Sequence, residues 1–338
     1  MGSFLNRFVR FEPAPGVAYP RSLRIEDPSF SPLRQIALGI GGAMLVLMLL
    51  WTIPAVVTRS ALGLFYLISG SPGDWATYVA AAATFAIPAG MAAAQLGLAA
   101  MIPVTLALVL FVNRFRPRWL HSVQPGFRWR YALLALVAAV VVIGGVWALS
   151  RIGQEWTFRP EADWGWFLLV IVLVTPLQAA GEEYVFRGYL MQAISSTAVD
   201  LRPIDVGKDG PMAKVGDWLA KEFPSWAGIA GSAIIFTLMH PSQNLPALLY
   251  PLGFGLLAGW LVVKTGGLEA SIAAHVVNNV ITFGYATMSG TMVATYTQRS
   301  VDWLGLVITL GSFALFAVAA IWLAKRMKLA TTTPVSRF

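Results

Sequence analysis

Long apolar runs separated by short polar stretches set the pattern of this chain. A membrane-spanning helix needs about 20 consecutive apolar residues. On that measure the sequence predicts eight spans, at 35–57, 85–113, 131–150, 165–192, 227–243, 246–264, 268–288 and 303–324. Apolar residues reach back from the second span to Trp75, so 75–84 reads as an interfacial or re-entrant piece. Between the fifth and sixth spans lies only Pro241-Ser242-Gln243-Asn244-Leu245-Pro246, which demands a tight helical hairpin. The longest polar interruption is 193–226, where Val215, Trp218, Leu219 and Phe223 share one helical face. A short amphipathic helix lying on the membrane surface fits that spacing. The expected fold is therefore all-α and polytopic, with about eight transmembrane helices and a membrane domain over 34–326. An N-terminal tail at 1–33, read as partly disordered, and a short tail at 327–338 flank it.

Composition agrees with the pattern. The 338 residues are 57% hydrophobic and only 12% charged, about half the charged share usual in soluble proteins, and the mean hydropathy is +0.68. A net charge of +8 raises the question of nucleic acid, but the basic residues cluster between apolar runs. Arg7, Arg10, Arg21, Arg24 and Arg34 precede the first span, and Arg114, Arg116, Arg118, Arg128 and Arg130 follow the second. Lys208, Lys214 and Lys221 follow the fourth, Lys264 the sixth, and Lys325, Arg326 and Lys328 the eighth. The opposite loops hold only Arg59, Arg151, Arg159 and Arg299. With eight spans and both termini cytoplasmic, every basic cluster falls on the cytoplasmic side, where anionic headgroups attract it. Membrane lipid, and not nucleic acid, is the expected partner. No short apolar region with a cleavage site precedes the first span, so no removable signal peptide is expected. The absence of cysteine excludes disulfides, thiolate metal sites and a cysteine nucleophile.

Few ionisable residues fall within the spans: Glu182, Glu183, Arg187, His240 and His275. A charged side chain at a helix centre costs about 2.5–3.5 kcal/mol on insertion scales, so each needs a reason. Glu183 and Arg187 are four apart and can pair along a helix. Glu182 points about 100° away, on the side of Gln178 and Phe186, and is not needed for that pair. His240 follows the apolar stretch AGIAGSAIIFTLM and, on a plain structural reading, is a helix-end histidine bonded to a backbone carbonyl. His275 and Asn279 share a face of the seventh span, with Asn278 beside them as a candidate for interhelical hydrogen bonding. His121, in a basic loop, reads as a surface residue. Helical rise brings Glu182, His240 and His275 to overlapping depths, so three helices can deliver them to one pocket among the fourth, fifth and seventh spans. A carboxylate there can take a proton from water as general base, and imidazole and amide N–H groups can steady an oxyanion. The same Glu182, His240 and His275 could instead hold a zinc ion whose water is the nucleophile, although no HExxH pair is present.

At these residues the chain resembles the CAAX protease and bacteriocin-processing (CPBP, or Abi) membrane proteins. Their pattern is Glu-Glu-x-x-x-Arg, Phe-x-x-x-His and His-x-x-x-Asn. Here it stands as Glu182-Glu183-Tyr184-Val185-Phe186-Arg187, Phe236-Thr237-Leu238-Met239-His240 and His275-Val276-Val277-Asn278-Asn279, each part on its own predicted span. The resemblance covers about 170–285, with a family core at about 165–288. It implies an intramembrane endopeptidase in which Glu182 activates water with help from His240. His275 and Asn279 would then form the oxyanion site, while Glu183, Arg187 and Phe236 support the site. Such an enzyme needs no cofactor, or a zinc ion on Glu182, His240 and His275 if the metal route holds. Its substrate would be a peptide or membrane protein, cut at the C-terminus in the family's eukaryotic members. The Ala- and Val-rich spans suggest a bacterial plasma membrane. Two alternatives belong to other classes. A non-catalytic scaffold or immunity protein would keep the fold and bind a partner, and a proton-coupled transporter would show inverted repeats, which are not detected.

Overall fold

The computed structural model describes residues 7–198 and 222–335. The helices are α1 (Pro32–Ile68), α2 (Trp75–Ala83), α3 (Pro88–Phe111), α4 (Trp129–Ser150), α5 (Trp164–Thr197), α6 (Phe223–Leu238), α7 (Leu245–Thr265), α8 (Glu269–Ser289), α9 (Met292–Thr297) and α10 (Trp303–Arg326). Among the described residues no strand forms beyond the isolated bridges Ala18–Thr332 and Ser122–Gly267. Six helices, α1, α3, α4, α5, α7 and α10, are long and apolar enough to cross a membrane. The chain is a multi-pass membrane protein. α6 is apolar but only 16 residues long, and α8 carries Glu269, His275, Asn278 and Asn279, so these two do not join the six by length and composition.

Local chemistry sets the helix ends. Ser31 caps α1 by accepting from the Arg34 N–H at 3.3 Å, and Pro32 fits the first turn, whose N–H would be unpaired in any case. α1 runs on past the expected 57 to Ile68, where α3 packs against it. A Cβ on Gly97 would sit 2.7 Å from the Pro54 carbonyl oxygen, so only glycine lets the two backbones approach this closely there. The piece expected at 75–84 is the separate helix α2, capped by Asp74 and joined to α1 through contacts among Tyr66, Trp75 and Tyr78. The hairpin after the fifth span is the six-residue turn 239–244, and Asn244 caps α7 by accepting from Ala247 N–H at 3.0 Å. Val215, Trp218 and Leu219 of the expected amphipathic helix lie outside the described residues, and Phe223 opens α6.

The loops gather at two ends of the bundle. At the first, Arg128 clasps Glu269 through Nε and Nη2 at 2.8 and 2.6 Å, fixing the start of α4 to the start of α8. Val123 N–H donates to Gly266 O, and Leu268 N–H donates to His121 O. The N-terminal segment, which reads as a polar tail in sequence, is folded onto this end from Arg10 onward. Glu12 accepts from Trp119 Nε1 at 2.6 Å and pairs with Arg116, while the buried Tyr19 hydroxyl donates to Leu120 O. Thr333 of the C-terminal tail bonds both Ala14 and Val17. His121 is a correction to the sequence reading. It is half-buried, with Nδ1 in a short hydrogen bond to the Tyr184 hydroxyl, and burial lowers its pKa below the usual histidine value. At the second end, Arg159 and Glu161 N–H groups donate to Met288 and Thr287 carbonyls, and Gln243 N–H donates to Arg299 O. The bundle is thus closed at the first end by a buried ion pair. Arg128→Met should lower stability by about 3–5 kcal/mol, the usual effect of leaving one member of such a pair unpartnered. Adding Glu269→Met should recover most of the loss, as read by thermal unfolding in detergent.

Candidate active site

The stretch GEEYVFRG lies where α5 presses on α3. A Cβ on Gly181 would come within 2.2 Å of Leu98 O, so glycine is what allows the close approach, and the residue after it starts the polar cluster. Over Tyr184–Leu190 the helix widens to π geometry, a deformation common beside functional sites. The two adjacent glutamates face different surroundings. Glu183 has a fully buried side chain, and its Oε1 accepts from Arg187 Nη1 at 3.0 Å. The rest of the guanidinium is covered by rings, with its carbon 4.2 Å from the Phe236 centroid and 5.0 Å from that of Phe254. Aromatic faces attract a cation that has lost its water. Glu182 keeps 12% of its side chain exposed and lines a cavity.

His275 sits between the two carboxylates. Its Nδ1 lies 2.9 Å from Glu183 Oε1, and its Nε2 lies 3.5 Å from Glu182 Oε2. Glu183 is held by Arg187, so Nδ1–H is the donor to it. Nε2 then faces the Glu182 carboxylate. The other Glu182 oxygen accepts from Gln178 Nε2 at 2.8 Å, Gln178 Oε1 accepts from Asn279 Nδ2 at 3.0 Å, and Asn279 Oδ1 accepts from Asn278 Nδ2 at 3.1 Å. This amide relay fixes the Glu182 carboxylate from behind. One N–H of Asn279 Nδ2 remains unused by it.

His240 lies just beyond the C-terminal end of α6, with Nδ1 donating to Phe236 O at 2.7 Å. That is the carbonyl-bonded arrangement of the plain structural reading, and it leaves Nε2 free. Its ring is 4.3 Å from that of Phe236, and it shares the cavity with Glu182, His275 and Asn279. No hydrogen bond joins His240 to Glu182 or His275. The cavity, about 590 Å³, extends from Glu182 to the second-end loops and includes Phe85, Gln95, Tyr250, Phe254, Tyr296 and Arg299 in its wall. Gln178, also in the wall, is within reach of the sequence as the residue four before Glu182. Gln95, Tyr250 and Phe254 carry no such signal, because an isolated polar or aromatic residue in a span does not announce its face.

The proposed zinc set does not fit this arrangement. Both ring nitrogens of His275 are directed at carboxylates, and among the described residues no three His, Asp or Glu side chains are gathered as a metal would require. Glu182, His240 and His275 thus do not form a three-ligand metal set in this arrangement.

Residues 163–281 match the family model described as Type II CAAX prenyl endopeptidase Rce1-like. This segment is similar to the Rce1-like family. It holds Glu182, Glu183, Arg187, Phe236, His240, His275 and Asn279, the residues on which the family resemblance rests. The chain is also similar to the "Uncharacterized protein YyaK" of Bacillus subtilis (strain 168), 26% identical over 175 residues, or 48% of this chain and 50% of that protein. The chain thus spans about half the length of this curated relative. No solved structure matches the chain.

The neighbouring glutamates differ in burial and partners, so their substitutions should differ in effect. Glu183→Ala should strand Arg187 in a buried site and lower the thermal midpoint in detergent by several degrees, about 3 kcal/mol or more. Glu182→Gln, retaining the hydrogen bond to Gln178, should leave that midpoint within about 1 kcal/mol of the parent. Equal loss in both variants would show that the two acids share one structural job.

Proposed function

We propose that this protein is an intramembrane peptidase in which Glu182 activates water. The single observation that carries the reading is the placement of Glu182, 12% exposed in a cavity, hydrogen-bonded on one oxygen by Gln178 and faced on the other by His275. A merely structural carboxylate would be enclosed like Glu183. The match of residues 163–281 to a family described as endopeptidases supports the same reading.

In this mechanism Glu182 takes a proton from water as the oxygen attacks the scissile carbonyl carbon. The carbonyl oxygen becomes an oxyanion, which the free N–H of Asn279 steadies, while His275 orients the Glu182 carboxylate. The C–N bond then breaks, and the departing amine takes the proton that Glu182 accepted. His240, tied through Nδ1 to Phe236 O, presents Nε2 to the cavity and can pass that proton. Water is consumed and an acid and an amine are released, so no cofactor enters the balance. A general base typically contributes 10²–10⁴-fold. Glu182→Gln should therefore lose about that factor in cleavage of a quenched fluorogenic peptide library while the fold is retained. Exhaustive chelation should leave the rate unchanged; loss that zinc restores would return the metal route. Absence of cleavage by the parent protein across the library would favour a non-catalytic scaffold.

The basic first end belongs on the cytoplasmic face by the rule that Lys and Arg collect there, with both tails on that side of a plasma membrane. The cavity then extends toward the opposite face. A chain without cysteine makes this directly measurable. Ser300→Cys, at the second end, should react with a membrane-impermeant maleimide on intact cells, whereas Lys328→Cys should react only after lysis. The reverse pattern would invert the topology.

A further inference from the structure

One cation on the cavity wall is unused by the chemistry above. Besides His240 and His275, Arg299 is the only cationic side chain in the lining, and Glu182 is the only acidic one. Its Nη1 donates to the carbonyls of Tyr296 and Gln298 at 3.1 and 3.2 Å. Among the described residues no carboxylate pairs with it. A guanidinium has five N–H donors in one plane. Two are spent on the carbonyls, which leaves the Nε and Nη2 edge, the geometry that takes a carboxylate side-on.

The guanidinium is also held in place relative to the reacting groups. Gln243 N–H donates to Arg299 O at 2.8 Å, and Gln243 is three residues beyond His240. Asn244 donates to Val301 O at 2.7 Å. The Tyr296 ring stacks on Phe85 at 3.6 Å, and Phe85 itself has a positive φ of 58°, rare for a bulky residue outside built sites. The loop bearing Arg299 is thus fastened to the turn that follows His240. Three residues span at most about 10 Å, so the Arg299 carbonyl is anchored close to the turn that carries His240, and Arg299 shares the cavity with Glu182.

We propose that Arg299 is an anion subsite of the catalytic cavity that binds a substrate carboxylate on one side of the scissile bond. The proposal rests on the peptidase reading and adds a specificity determinant outside the Rce1-like segment. Two sources can supply the carboxylate, a free chain terminus or an Asp or Glu side chain, and the guanidinium edge serves either.

Paired fluorogenic peptide mixtures test it: free C-terminal acids against carboxamides, and blocked peptides with internal Asp against Asn. The parent should cleave one carboxylate-bearing set at least tenfold faster in kcat/KM than its neutral twin, and which set does so identifies the source. Arg299→Gln should cut that preference below about twofold by raising KM, with kcat and the cleavage of neutral peptides unchanged, while Arg299→Lys should keep part of it. If Arg299 is only a loop staple, Arg299→Gln will alter stability and leave the preference intact, and the proposal falls. It falls equally if the parent cleaves acid and neutral peptides alike. Binding of the same labelled peptides to Glu182→Gln, followed by fluorescence anisotropy, separates the two readings. Carboxylate-dependent binding that Arg299→Gln removes, with no cleavage by the parent, would uphold the subsite and overturn the peptidase. Cleavage without carboxylate dependence would do the opposite.

Discussion

A single buried carboxylate organises the polar interior. Glu183 Oε1 accepts from Arg187 on its own helix and from His275 on α8. The same guanidinium is covered by Phe236 of α6 and Phe254 of α7. One charge at membrane depth thereby fixes four helices. The expense of burying an ion is offset only when its partners are placed well, so each of those helices is held in register by the same requirement. The orientation of His275 follows from it. With Nδ1 committed to Glu183, Nε2 faces Glu182, and the second glutamate is drawn into the same polar cluster.

Much of this was legible in sequence because the membrane punishes polar residues. Glu182, Glu183, Arg187, His240 and His275 stand out against apolar spans, and four-residue spacing pairs Glu183 with Arg187 and puts His275 and Asn279 on one helix face. The helix positions follow from run length, with errors where local packing extends an element, as in α1 beyond residue 57. What could not be read were contacts that depend on the meeting of distant segments. The folding of Arg10–Ser31 onto the α3–α4 loop depends on Glu12 finding Trp119 and Arg116, and on Tyr19 reaching Leu120. His121 looked like a loop residue because nothing in its neighbourhood announces Tyr184. In Arg299 the sequence did carry a signal, a cation on the side otherwise poor in cations, but not its meaning.

The chemistry and the shape of the cavity come from different parts of the chain. The acids, imidazoles and amides of the site lie within the family-matched segment 163–281. The wall that surrounds them draws on Gln95 and Leu98 of α3, Phe85 before it, and Tyr296 and Arg299 after α8. A reaction centre can thus be kept while the surrounding wall changes what it admits. Gly181 links the two parts, since the backbone of α5 can touch Leu98 O only there, and that contact sets how near α3 stands to Glu182.

The two ends of the bundle divide the physical demands of the site. The first is closed by Arg128 on Glu269 and by both tails locked over the loops, which leaves little apolar surface free to shift. The second holds its loops by backbone hydrogen bonds, side-chain bonds from Asn244, Glu161 and Arg299, and an aromatic stack, and there the cavity reaches its walls. On the proposed peptidase reading, water and an extended peptide both need a route to Glu182, and a helix bundle sealed by buried ion pairs at both ends would offer none. Rigidity at one end keeps Glu183, Arg187 and His275 in register. Lighter fastening at the other lets the cavity exist without disturbing them, which is why the carboxylate left partly exposed is Glu182 and not its neighbour.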